Sequence, residues 1–173
     1  DIRIHRGNET AADSVLVSRT TKWTSNHKLL DTAYIYVRLK YDAEELNSIP
    51  NISAIIEGKK VLNPATGLTA FSDNPALCVR DYLTDTKYGL GESASSIDAD
   101  SLAFAVSKCD ETVALDAGGN QKRYTCNGIM SSNKSRKANI TNLLKCMGGQ
   151  LTYSNKSYYM KPAVYVSPSS VSI

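Results

Sequence analysis

Apolar and polar positions alternate most clearly over 32–41, where Ala33, Ile35, Val37 and Leu39 interleave with Tyr34, Tyr36, Arg38 and Lys40. That period of two predicts a strand with one face buried and the other, bearing tyrosines and cations, open to a partner. A shorter alternation, Ile2-Arg3-Ile4-His5, predicts a strand at the start, and 52–62 predicts another. From residue 74 the period lengthens. Asn74-Pro75 is a helix start, an asparagine cap before a proline at the first helical position, and Ala76, Val79 and Leu83 follow on one stripe, with Cys78 and Tyr82 beside it. A second helix is predicted from Ser96 or Asp98, with Leu102, Ala105, Val106, Cys109 and Val113 on its apolar face. A third carries Ile140, Leu143, Leu144 and Met147 and stops at Gly148-Gly149.

Turn residues punctuate these elements. Asn63-Pro64-Ala65-Thr66-Gly67 contains both breakers, and Gly89 and Gly91 read as a turn, since glycine adopts left-handed dihedrals at little cost. After Gly118-Gly119-Asn120, the stretch 123–127 predicts a strand entering the core. A hairpin is expected across Asn155-Lys156, with 164–166 extending it. The loop carrying Glu92 and the polar, basic stretch 131–137 read as exposed, and Trp23 as a packing residue. The fold class is therefore α+β, with antiparallel β-sheet segments and about three short helices. The expected division is a β-rich segment 1–66, a mixed segment 67–166, and a linker 167–173. The opening on Asp1, already strand-like, reads as a piece of a longer protein.

Composition sharpens this in two places. The 173 residues can bury a proper core, and no apolar run approaches the roughly 20 residues needed to span a bilayer. The net charge of +3 conceals a split: residues 117–173 contain no Asp or Glu but eight bases, from Lys122 and Arg123 to Lys161. Residues 1–116 hold all 17 acids against 12 bases, a balance of −5. Two halves that face each other, or neighbouring subunits, explain the split more simply than a surface for DNA or another acidic polymer.

Candidate chemistry is sparse. Four cysteines, Cys78, Cys109, Cys126 and Cys146, form no C-x-x-C pair, so a zinc ribbon is not expected and buried reduced thiols are. Asp98/Asp100 sit at a helix start, where the dipole favours acids; Asp110/Glu111 sit near its end and read as solvated. His5 and His27 are distant in sequence from every cysteine. The glycines form no phosphate-binding loop, and no cofactor or metal is expected. Five N-x-[ST] patterns, at Asn8, Asn51, Asn133, Asn139 and Asn155, read as chance matches, Asn139 also standing at a helix start where asparagine caps.

The order "NPALCVRDYLTDTKYGLG", "CDETV", "RYTCN" resembles the middle of the tail tip attachment proteins (host-specificity protein J) of lambda-like siphophages. The resemblance extends upstream through "DAEELNSIP" and downstream through "NITNLLKCMGGQLTYSNKSYYMKPAVYV", nearly the whole chain. It implies hub-like domains in a phage or prophage virion, made in the host cytoplasm. It also implies a trimer on the tail axis, contacts with other tail tip proteins, and roles in assembly, host attachment and DNA ejection. Receptor choice would reside in a far C-terminal region outside this chain. No catalytic, cofactor or metal residue is implied. The candidate interaction residues are Lys134, Arg136 and Lys137 with Tyr34, Tyr36 and Arg38. A cell-wall hydrolase, or a module binding nucleic acid through the basic third, are the competing readings.

Overall fold

A computed structural model describes residues 1–165; the expected linker 167–173 and Val166 lie outside the described residues. Among the described residues, four α-helices and eight short strands, paired antiparallel two by two, make an α+β architecture without a closed barrel. The chain divides into two compact units, Asp1–Ile55 and a second beginning at Ile56. This division leaves the Asn63–Gly67 turn, with the strands on either side of it, inside the second unit.

In the first unit, β1 (Ile2–His5) pairs with β2 (Tyr34–Val37) in the register Ile2↔Val37, Ile4↔Ile35 and His5↔Tyr34. The strand expected over 32–41 is thus only four residues long, because its partner is no longer and a ladder ends where pairing ends. The covered face is also the reverse of the expected one. Ile2 and Ile4 are 70% and 69% exposed, and Ile35 and Leu39 are exposed with them. The Arg3, His5, Tyr34 and Tyr36 side is packed instead: His5 stacks on Tyr34 at 4.4 Å, and Trp23 stacks on His27 at 5.2 Å beside that tyrosine. A short helix not anticipated from the sequence, α1 (Ser14–Arg19), is capped by Asp13, whose carboxylate accepts from the amides of Val15 and Leu16.

The second unit holds every buried hydrophobic side chain among the described residues. β3 (Lys60–Asn63) and β4 (Leu68–Phe71) form a hairpin, so the strand expected over 52–62 begins only at Lys60. Ile55 and Ile56 lie exposed ahead of it, with no neighbouring strand to pair with. Helix α2 (Pro75–Thr84) follows, with Asn74 as its cap. Ala76, Val79 and Leu83 are fully buried as the stripe predicts, and Leu77 and Tyr82 are buried too. Helix α3 (Ala99–Asp110) starts at its cap Asp98 and buries Leu102, Ala105 and Cys109. Val113 is not on this helix; it belongs to β5 (Thr112–Ala114), which pairs with β6 (Asn120–Lys122).

The expected strand 123–127 is extended but joins no ladder. Its amides are used elsewhere: Tyr124 donates to the carbonyl of Cys109 at 3.2 Å and Cys126 to that of Asp73 at 2.7 Å. Tyr124 and Cys126 still face the core. Helix α4 (Arg136–Lys145) buries Leu143, with Met147 buried just beyond it, while Ile140 and Leu144 are half-buried. A hairpin of β7 (Gln150–Ser154) and β8 (Ser157–Lys161) completes the unit, and Asn155 and Lys156 both take positive φ, as a two-residue turn of this hand requires. Val164 does not extend it. Of the two glycines in the 88–91 turn, only Gly91 is left-handed (φ 74°). Gly89 is needed for a different reason, since a Cβ there would collide with the carbonyl of Tyr82.

Burial sets the expected cost of truncation. Leu83→Ala and Leu102→Ala each lose about 2–5 kcal/mol, and Leu144→Ala, half-buried, loses less. Glu92 is not free in an exposed loop: it accepts the Tyr158 hydroxyl at 3.0 Å, so Glu92→Ala costs about 1 kcal/mol. Urea midpoints measure all four; equal midpoints for Leu102→Ala and Leu144→Ala would overturn the assigned helix faces.

Candidate interaction surface

Helices α2 and α4 and the chain between β6 and α4 enclose an open groove of about 930 Å3 in the second unit, lined by Val61, Tyr82, Met130, Asn139 and Leu143 among others. Asn139 is not a cap. Ser135 caps α4 by accepting from the amide of Ala138, and Asn139 lies one turn on, 4% exposed. Its side-chain amide donates to the Tyr82 hydroxyl at 3.1 Å and to the carbonyl of Ser131 at 3.0 Å. One buried amide therefore pins the loop before α4 to α2.

That loop presents the basic residues. Lys134 stands in it, whereas Arg136 and Lys137, expected in an exposed loop, occupy the first turn of α4. All three are exposed, and Lys134 and Arg136 flank the groove. Cations at a helix N-terminus oppose the helix dipole, so helix stability does not account for them. Neither they nor Lys145, Lys156 and Lys161 have a carboxylate within 4.0 Å among the described residues.

Part of the charge split is settled within the chain. Lys122 bridges Asp73 at 2.8 Å and Asp110 at 3.0 Å, and Arg123 meets Glu111 at 3.0 Å. Asp110 and Glu111 are thus paired rather than merely solvated; the hydrogen bond from Arg123 holds the Glu111 carboxyl below its usual range. Lys59 joins Asp81 at 2.7 Å and Asp85 at 2.5 Å along α2. The Lys59 hydrogen bond, helped by the Tyr88 amide, holds Asp85 far below an ordinary carboxyl.

The remaining candidates fall in the first unit. Tyr34 and Tyr36 are half-buried on β2; Arg38, just past it, is exposed, and its amide and carbonyl bond the first residue of the chain. Beside them, His5 Nε2 meets Asp13 Oδ2 at 2.9 Å, and Asp13 is almost wholly enclosed. No hydroxyl or thiol hydrogen-bonds this imidazole among the described residues, and the pair ties α1 to β1. Asp98 caps α3 and Asp100 lies in its first turn. No cluster of three or more metal-ligating side chains occurs among the described residues, and none of their helices is long and apolar enough to cross a membrane. Residues that sequence reasoning missed, Asn139 and Lys59, act on partners 57 and 22 residues away, and no local pattern marks them.

No protein-family model matches the chain. Curated proteins do match, two of them phage tail proteins. Over 71 residues, 39% of the chain, it is 42% identical to the baseplate hub protein pb3 of Escherichia phage T5. Over 90% of its length it is 25% identical to the tip attachment protein J of Escherichia phage SECphi27. The similarity is to phage tail proteins of the hub and tip. The chain spans only 7% and 15% of these relatives' lengths.

Two outcomes follow from the geometry. Asn139→Ala strands the Tyr82 hydroxyl and the Ser131 carbonyl and costs about 1–3 kcal/mol in urea denaturation; a change within experimental error would remove the pin. For Asp85, the folded carboxyl titrates below the unfolded one, so its contribution is present above about pH 4 and is lost as pH falls through the lowered value. Lys59→Met therefore flattens the decline in stability as pH falls below about 5, and an unchanged decline would refute the coupling.

Proposed function

We propose that the chain is a hub segment of a phage tail tip, a non-catalytic piece of a J-type tip attachment protein located in the virion. It acts in several copies, a trimer on the tail axis, beside other tail tip proteins, and contributes to tail assembly, host attachment and DNA ejection. The observation that carries this reading is the likeness along 90% of the chain to a tip attachment protein. Two physical features agree with it. The first unit has no buried hydrophobic side chain among its residues and leaves Ile2, Ile4 and Ile35 exposed on one side of its ribbon, as a piece completed by an assembly would. The second unit presents Lys134, Arg136 and Lys137 without an ion-pair partner among the described residues, beside an apolar groove that suits a protein contact.

The test is charge reversal of Lys134, Arg136 and Lys137 together to Glu in a phage carrying this chain. The expected outcome is a loss of assembled tails or of infectious yield, while the isolated chain keeps its circular dichroism spectrum and melting temperature. Normal yield from the triple variant would take the basic turn of α4 out of the interface.

A further inference from the structure

The groove between α2 and α4 is walled by apolar side chains and is basic in balance. Phe71, Tyr88, Ile129 and Met130 line it and are exposed, Ile129 to 95%. Cys78, Cys126 and Cys146 add small apolar surface, free and partly exposed rather than buried as expected; only Cys109 is buried. Four bases and two acids complete the charge of the lining. The acids, Asp81 and Asp85, are both taken by Lys59. Lys87, Lys134 and Arg136 form no ion pair among the described residues. A fitting occupant is apolar along its length and carries acids near one end.

The first unit holds such a stretch. Residues 42–55 contain three acids and no base. The Asp42 carboxylate accepts from the amides of Glu44 and Glu45 at 2.9 and 3.2 Å, and Asp42 and Leu46 exchange backbone hydrogen bonds. This closed turn presents two glutamates that form no ion pair among the described residues. Beyond it, residues 47–55 belong to no helix or strand, and their backbone forms no hydrogen bond with another described residue. Ile49, Ile52 and Ile55 are all exposed, Ile49 to 86%. Their spacing of three puts them on one side of a polyproline-type chain, which has three residues per turn, needs no internal hydrogen bonds and suits Pro50.

We propose that residues 42–55 of one copy dock in this groove of a second copy of the chain. The isoleucine side lies against Phe71, Tyr88 and Met130, and Glu44 and Glu45 face Lys134 and Arg136. Aromatic-lined grooves suit polyproline-type segments, which lose little conformational freedom on binding. Segment and groove are different surfaces, so each copy gives one and receives one, an arrangement that closes into a ring when the rotation allows. The inference rests on the reading that the chain acts in several copies, and it assigns the contact between them.

Light scattering over a concentration series measures the mass of the 173-residue chain. The chain self-associates. Glu44→Lys with Glu45→Lys, or Lys134→Glu with Arg136→Glu, raises the self-association Kd by about tenfold or more. A chain carrying all four changes associates as the parent does, because segment and groove again have opposite charge. The two double variants, each weak alone, associate when mixed. Ile52→Ser weakens association without altering charge, and circular dichroism checks that each variant is folded. A chain that is monomeric at every concentration, undiminished association after reversal of the two glutamates, or no recovery in the fourfold variant would each overturn the proposal. Lost phage yield on reversal of Lys134, Arg136 and Lys137, alongside any of those results, keeps the hub reading and gives the groove to another tail protein.

Discussion

The second unit depends on one enclosed side chain, Asn74. Its carbonyl oxygen accepts from the amides of Ala76 and Leu77 and so starts α2, while its side-chain nitrogen donates to the Val106 carbonyl of α3 at 3.0 Å. Capping and helix-to-helix attachment thus share one fully buried residue. Apolar contact does the rest: Val79 and Leu83 meet the residues that α3 and α4 offer, with Met147 and Met160 closing the core. An aspartate could cap the helix but could not donate to α3, and a serine could not reach both.

The first unit is built on a different basis. It has no fully buried apolar side chain; its order comes from Asp13, which caps α1 and receives His5, and from aromatic stacking around Tyr34. Two paired strands are marginal by themselves in water, and here their aliphatic side is the uncovered one. The contrast is between one unit with a buried apolar core and one without. The Asp13 carboxyl is held below its usual range by its amide and His5 bonds, which outweigh the opposing effect of burial.

The charge asymmetry also divides. Lys122 and Arg123 turn back onto acids at the end of α3 and ahead of α2, so the first bases of the acid-free stretch serve the fold. The cations at the start of α4 do not, and they sit where a helix least welcomes them. Ion pairing within the chain therefore separates Lys122 and Arg123 from the cations at the start of α4, a distinction that counting charge along the chain does not make.

Much of the second unit was written locally. Asn74-Pro75, the 76–79–83 stripe, Gly148 after α4 and the Asn155-Lys156 turn act through neighbours within four residues, and each appears where the sequence placed it. The alternation over 32–41 misled, because period two says which side chains share a face but not which face is covered; that was decided by the loop bringing Trp23 and His27 beside Tyr34. The start of α4 at Arg136, and the exchange of a capping role for a buried one at Asn139, likewise followed from Ser135 and Tyr82 rather than from asparagine's own preference. That Cys78, Cys126 and Cys146 line one groove has no trace in their spacing, since residues that share a groove are set by how helices pack and not by their distance along the chain.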